Sequence, residues 1–177
     1  MQAVKGENYL CFYALMEMIL RNAGYNDWNQ YNLANQFGVV LPSGYEIEGI
    51  YNTSVGDSER LYGAHINCND INKFFVDNKI HMNVSYVLAN PYGEYSCEKK
   101  TSLDEYYIYT FSYGTLYKQP EYNKVGHAAL VLKIYDEDRV KIYDPGPDDC
   151  GEKDIDLYYL HESMYDARGG IYIFKSI

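Results

Sequence analysis

Two kinds of hydrophobic pattern divide the chain. In the first eighty residues, apolar positions recur at the three- and four-residue spacing of amphipathic helices. This spacing predicts one helix over 10–22, a second of about ten residues before Gly38, and a third within 67–80. Between the second and third helices, residues 42–63 carry scattered Gly, Ser and Asn without a clear period, which predicts a long loop.

The polar residues beside these helices suggest where each one begins and ends. Gly24 follows the first apolar run at the position where helices commonly end. Asn8 is the candidate N-cap of the first helix, and Asn26 or Asp27 that of the second. These three assignments rest on residue type and spacing alone.

The second half of the chain alternates as strands do. Strands are predicted within 82–88 and 106–111, and the sequence "HAALVLKIYDEDRVKIYD" has two β-rich runs flanking "YDED", which is typical of a hairpin. A short helix over 157–164 and a last strand within 169–177 complete the pattern. Helices followed by mostly antiparallel strands predict one α+β domain over 1–177. A helical half, about 1–80, would face a β half, about 81–177, across a groove.

Composition and charge narrow the functional classes. The 177 residues are 47% hydrophobic, which fits a globular domain, and their net charge of −10 argues against nucleic acid and anionic membranes as partners. No stretch reaches transmembrane length, and Glu7 precedes and Glu17 interrupts the apolar run over 9–20 that otherwise resembles a signal-peptide core. We therefore expect a cytoplasmic protein. The 22 tyrosines suit a cleft that contacts peptides or sugars, although compositional drift would also produce them.

The cysteines predict neither a disulfide framework nor a metal site. Cys11, Cys68, Cys97 and Cys150 contain no C-x-x-C pair, so free thiols are expected. His65 and Cys68 have the spacing of half a metal site, but the sequence offers no second pair of ligands. No metal and no cofactor is predicted.

Cys11 is placed at the start of the first predicted helix. Unpaired backbone N–H groups and the helix dipole favour an anion there, and such surroundings convert a thiol into the reactive thiolate. A cysteine in an apolar run is also a common core residue. Position alone therefore leaves both interpretations open.

The predicted hairpin brings a base and a carboxylate together. His127 opens its first strand, and Asp144 closes its second strand directly before Pro145. Because the strands are about equally long, folding the hairpin places these two residues at the same end, within a residue or two of direct opposition. A carboxylate in this position orients one imidazole nitrogen and leaves the other for a thiol, which is the arrangement of a cysteine catalytic triad.

The sequences "CFYALMEMILRNAGY" and "GHAALVLKIYDEDRVKIYDPGP" resemble the papain-like cysteine peptidases. The subgroup most similar to them contains the bacteriocin-leader (double-glycine) peptidases and their stand-alone relatives. The shared features are a Cys heading the first helix, a "GH" opening a strand, and an Asp-Pro after the next strand. The resemblance implies a papain-like fold and the catalytic residues Cys11, His127 and Asp144.

One position departs from the family pattern. The family carries a Gln six residues before the Cys, where it helps to stabilise the oxyanion, and this chain has Lys5 there. The candidates for that role are Gln2, Asn8 and Lys5. Gln2 requires a looser loop, and Asn8 would be engaged if it capped the helix.

The resemblance implies a peptidase or amidase that works through a thioester acyl-enzyme. Its substrate would be a peptide or an acyl amide, with a carrier-protein-bound acyl group as one option. The same triad also serves acyltransferases that pass the acyl group to an amine, and a degenerate domain would bind peptides without cutting them. A transglutaminase-like fold is a more distant alternative, since its Cys-to-His interval is usually much shorter.

Overall fold

A computed structural model describes residues 1–56, 62–64, 66–89, 105–123, 125–135 and 138–177. A mixed order of helices and strands runs through these residues. The helices are α1 Cys11–Asn22, α2 Gln30–Phe37, α3 Cys68–Asp77, α4 Tyr113–Tyr117 and α5 Leu157–Asp166, with a 3₁₀ turn at Pro120–Tyr122. The strands are β1 Val39–Pro42, β2 Thr53–Gly56, β3 Met82–Leu88, β4 Glu105–Ser112, β5 Gly126–Ile134, β6 Arg139–Asp144, β7 Gly151–Asp156 and β8 Gly170–Ser176.

Six strands form one antiparallel sheet in the order β3-β8-β4-β5-β6-β7. The predicted hairpin is its β5–β6 pair, and the predicted last strand, β8, lies between β3 and β4. The α+β class predicted from the sequence is confirmed.

The sheet has a hydrophobic core on each face. In β5, Ala128 and Leu130 join the core formed with α1, whereas Ala129 and Val131 join a second core under α4 and α5. This division follows from the two-residue period of a strand. Every residue of α1 from Cys11 to Leu20 is buried, so this helix lies inside the domain rather than on its surface.

Several local predictions were wrong. The N-cap of α2 is Asn29, whose side chain accepts a hydrogen bond from the backbone N–H of Asn32, and not Asn26 or Asp27. The loop predicted over 42–63 contains β2, which pairs in parallel with β1, because short exposed strands carry little periodicity. β7 was missed for the same reason, since this edge strand has one apolar residue, Ile155, among four charged ones.

Candidate active site

Cys11 is the first residue of α1. The N-cap is Leu10, which offers no side-chain hydrogen bond, so the prediction that Asn8 caps this helix was wrong. The first backbone hydrogen bond of the helix runs from Ala14 N–H to the Leu10 carbonyl. The preceding N–H groups, including that of Cys11, therefore have no acceptor within the helix.

His127 and Asp144 form an ion pair at the end of the sheet. The Nε2 atom of His127 lies 2.7 Å from Asp144 Oδ1, and both side chains are buried. The β5–β6 register pairs Leu130 with Tyr143, and its continuation leaves Asp144 two residues from direct opposition to His127. That offset lies within the range that the sequence predicted.

Cys11 approaches the same imidazole. Its side chain and the His127 ring line the same two cavities, and Cys11 acts electrostatically on the imidazole. Since Nε2 faces Asp144, the nitrogen available to the thiol is Nδ1. Burial lowers the pKa of His127, but its interactions with Cys11 and Asp144 outweigh that effect and raise this pKa above its usual value. The structure thus brings Cys11, His127 and Asp144 together at one cavity.

Asp144 accepts hydrogen bonds from several other groups. Gly146 N–H donates to Oδ1 at 2.8 Å, and the ammonium of Lys153 lies 3.0 Å from Oδ2. The Tyr117 hydroxyl also donates to Oδ2. Burial raises the pKa of Asp144, yet the bonds from His127, Tyr117 and Gly146 outweigh it and hold this pKa well below its usual value. The carboxylate is therefore ionised and fixed in orientation.

Sequence reasoning missed Tyr117 and Lys153. Both lie outside the motif, since Tyr117 ends α4 and Lys153 belongs to β7. The signal that could have found Lys153 is its place in a third strand beside Asp144, but β7 itself was not predicted. Tyr117 carries no local signal of its contact, since "YGTLY" is equally typical of a groove wall and of a turn.

Aromatic rings enclose the imidazole. The Phe111 and Tyr113 rings meet it edge to face, with centroids 5.4 and 5.2 Å from that of His127. Phe111 is also the β4 residue directly opposite His127. These contacts restrict the ring to the plane in which it faces both Cys11 and Asp144.

A tight turn leads into Cys11. Leu10 N–H donates to the Glu7 carbonyl at 3.0 Å, and Tyr9 adopts a positive φ of 66° within this turn. A non-glycine residue in that conformation is uncommon, and such strain often accompanies a functional site. Gly6 N–H fixes the segment to the Pro145 carbonyl at 2.7 Å, directly after Asp144.

Gln30 holds the same segment in place through hydrogen bonds of its side chain. Its buried side chain accepts from Glu7 N–H at 2.9 Å and donates to the Lys5 carbonyl at 3.0 Å. Its own backbone N–H donates to the buried Glu17 of α1 at 2.7 Å. Gln30 therefore connects the approach to Cys11 with the helix that carries it.

The three oxyanion candidates lie in different places. Asn8 lines a cavity beside Cys11, and its side chain is exposed. Gln2 and Lys5 are also exposed but are not among the residues that line this cavity. Of the three, Asn8 is the one that lines this cavity, and among the described residues its side chain has no hydrogen bond.

Two cavities meet at Cys11 and His127. The larger, of about 500 Å³, has an acidic and aromatic wall that includes Glu7, Asp148 and Tyr122. The smaller, of about 140 Å³, is lined by aromatic residues and glycines. Tyrosines line both cavities: Tyr9, Tyr113 and Tyr122 in the larger, and Tyr62, Tyr86 and Tyr172 in the smaller.

Cys68 and Cys150 are not among the described residues that line these cavities. Cys68 begins α3, and Cys150 is exposed beside the Tyr143 hydroxyl. Both are free thiols, as predicted, whereas Cys97 and His65 lie outside the described residues. Within the described ranges, no three potential metal ligands come together. None of the helices in this part of the chain combines the length and apolar character needed to cross a bilayer.

The architecture is similar to that of a solved structure. A crystal structure from Bacillus anthracis, described as a C39-like peptidase, is similar with a TM-score of 0.63 and 12% sequence identity, over 99% of this chain and 94% of that one. No protein-family model matches the sequence, and no curated protein does. A likeness at this identity establishes the fold. The chain therefore has the papain-like α+β fold of a C39-like peptidase.

Proposed function

We propose that this protein is a cysteine-dependent hydrolase of the peptidase or amidase type. The observation that carries the proposal is the grouping of Cys11, the His127 imidazole and the Asp144 carboxylate at one cavity, with His127 hydrogen-bonded to Asp144. The substrate class is a peptide or acyl amide, which the two cavities flanking Cys11 would hold on either side of the scissile bond.

In the proposed reaction, the Cys11 thiolate attacks the substrate carbonyl carbon. The resulting oxyanion accepts a hydrogen bond from the Cys11 backbone N–H and from one side chain, for which Asn8 is the best placed of the three candidates. The imidazolium of His127 gives its proton to the leaving amine, and a thioester remains on Cys11. His127 then takes a proton from water, the hydroxide attacks the thioester, and the acid is released as the proton returns to the Cys11–His127 pair.

Transfer to an amine is a second candidate. Glu7, Asp148 and Asp149 line the larger cavity, and this negative charge would attract a cationic amine. Adding glycinamide during turnover of an activated ester separates the alternatives. Free acid indicates hydrolysis, whereas an acylated glycinamide indicates transfer.

Limiting iodoacetamide at pH about 6, followed by mass spectrometry of the labelled cysteines, tests the proposal. At that pH an ordinary thiol is almost wholly protonated, so an activated Cys11 should react about 10²-fold faster than Cys68 and Cys150. His127→Ala should remove that advantage.

The other cysteines of the chain serve as internal controls for this measurement. Cys11 is buried and Cys150 is exposed, so accessibility alone predicts the opposite order of labelling. Labelling of Cys150 before Cys11, or an unchanged Cys11 rate in His127→Ala, would contradict the proposal. A non-catalytic peptide-binding domain would then be the better interpretation.

A further inference from the structure

The two oxygens of the Asp144 carboxylate have different partners. Oδ1 accepts from His127 Nε2 and from Gly146 N–H. Oδ2 accepts from the Tyr117 hydroxyl and from the Lys153 ammonium. The carboxylate that orients the imidazole is therefore shared with a second cation on its far side.

We propose that Lys153 and Tyr117 are positioning residues that fix the Asp144 carboxylate and make the His127 imidazolium a stronger acid. The proposal deepens the proposed function, on which it rests for its catalytic meaning. In physical terms, the positive charge of Lys153 offsets the negative charge of Asp144 that the His127 ring experiences.

The sheet supplies the geometry for this contact. Gly151 lies directly opposite Asp144 in the β6–β7 pair, and Lys153 lies opposite Ile142. Lys153 is thus the diagonal neighbour of Asp144 on the same face, where the pleat brings long side chains within reach. Because the residue opposite Asp144 is a glycine, no side chain stands between the ammonium and the carboxylate.

Further contacts hold Lys153 in place. Its ammonium lies 4.5 Å from the centroid of the Tyr117 ring and 2.9 Å from Asp149 Oδ2. Its side chain is only 17% exposed. Burial lowers the pKa of Lys153, but Asp149 and Asp144 outweigh that effect and raise it. Lys153 is therefore a constant positive charge.

The charged and titratable groups around His127 come from several elements. Cys11 approaches from α1, Tyr113 and Tyr117 from α4, and Asp148 and Asp149 follow β6. Asp144 and Lys153 lie beside them, and Glu7 and Arg168 line the two cavities at His127. Among these groups, Lys153 is the cation that contacts the Asp144 carboxylate, whereas the Arg168 cation lines the smaller cavity.

This arrangement has a direct consequence for proton transfer. A thiolate and a buried carboxylate together stabilise the imidazolium so strongly that it would be slow to release its proton to a leaving amine. A cation and a phenol on the far carboxylate oxygen withdraw negative charge from the oxygen that faces His127. They also keep the carboxylate from turning away.

The test is the titration of His127, followed by NMR of its Cε1–H signal and assigned with a His127→Gln variant. All proteins carry Cys11→Ala, which removes the thiolate charge and makes the readout independent of whether Cys11 is reactive. Lys153→Met should raise the titration midpoint by about one pH unit, a tenfold gain in proton affinity. Lys153→Arg should restore the midpoint of the parent protein because it keeps the charge.

Lys141→Met is the matched control. Lys141 is a lysine of the adjacent strand on the other face of the sheet, and it pairs with the exposed Glu152 at 3.2 Å. This variant should leave the His127 midpoint unchanged.

An unchanged or lowered midpoint in Lys153→Met, with a near-UV spectrum like that of the parent, overturns the proposal. If that variant does not fold, Tyr117→Phe decides, because it removes one donor to Oδ2 and should shift the midpoint upward by a smaller amount. Alkylation of Cys11 tests the proposed function separately. Rapid alkylation combined with an unmoved midpoint would therefore reject this inference alone.

Discussion

The two sides of the Cys11–His127 pair are built differently. The side of His127 that faces Asp144 is the acid side. There the Asp144 carboxylate accepts hydrogen bonds from His127 of β5, Tyr117 of α4, Lys153 of β7 and Gly146 of the following loop. The side of Cys11 on which the proposed oxyanion would form is the oxyanion side. The candidate that lines the cavity there is the exposed Asn8, and among the described residues no hydrogen bond holds its side chain. In the proposed mechanism, the His127 base is therefore fixed before a substrate binds, whereas completion of the oxyanion site depends on a residue that the fold leaves unconstrained.

Removing the acid side should have the largest effect. Asp144→Ala leaves the Lys153 ammonium and the His127 ring without their common acceptor, and breaking a buried pair in this way costs about 3–5 kcal/mol in the free energy of unfolding. Cys11 alkylation at pH 6 should also fall about 10²-fold, since the imidazole loses its orientation. Denaturant titration and the alkylation rate measure the two effects.

Asp149→Asn is the control for that experiment. Asp149 is the other carboxylate on Lys153, but its side chain is 80% exposed, so its loss should change the free energy of unfolding by less than about 1 kcal/mol. Equal losses in the two variants would mean that Asp144 is no more than one of two interchangeable partners of Lys153.

The oxyanion side is tested by comparing two reactions of the same thiol. Acylation of Cys11 by p-nitrophenyl acetate passes through an oxyanion, whereas alkylation by iodoacetamide does not. Asn8→Ala should therefore slow acylation by about 10²-fold or more and leave alkylation unchanged. The ratio of the two rate constants is the measurement.

Gln2→Ala and Lys5→Ala accompany it. Both residues are exposed and are not among those that line the larger cavity, so neither variant should alter the ratio. A selective loss of acylation in one of them, with Asn8→Ala unaffected, would move the oxyanion donor to that residue.

A smaller effect is expected from the segment that leads into Cys11. Gln30→Ala leaves Glu7 N–H and the Lys5 carbonyl without their side-chain partner, at a cost of about 1–3 kcal/mol in the free energy of unfolding. Gln36→Ala, an exposed glutamine of the same helix, should cost less than about 0.5 kcal/mol. Similar values for the two variants would show that Gln30 does not support the segment before Cys11.

The sequence predicted the acid side better than the oxyanion side. Strand periodicity and the "YDED" turn determine the hairpin, so the juxtaposition of His127 and Asp144 followed from local pattern alone. The turn before Cys11 did not, because Tyr9 adopts a backbone conformation that residue type disfavours. Tyr117 and Lys153 were out of reach, since their contacts with Asp144 depend on how α4 and β7 pack against the hairpin.

The distance along the chain between Cys11 and its partners has a consequence for synthesis. Cys11 precedes Lys153 by roughly 140 residues, which a ribosome adds in about 7–30 s. During that interval the emerging α1 carries a thiol without a base, a carboxylate or the Pro145 carbonyl that fixes Gly6. In the proposed enzyme, a nascent chain therefore carries Cys11 as an ordinary thiol, and its activation follows only when β5, β6 and β7 close onto the first helix.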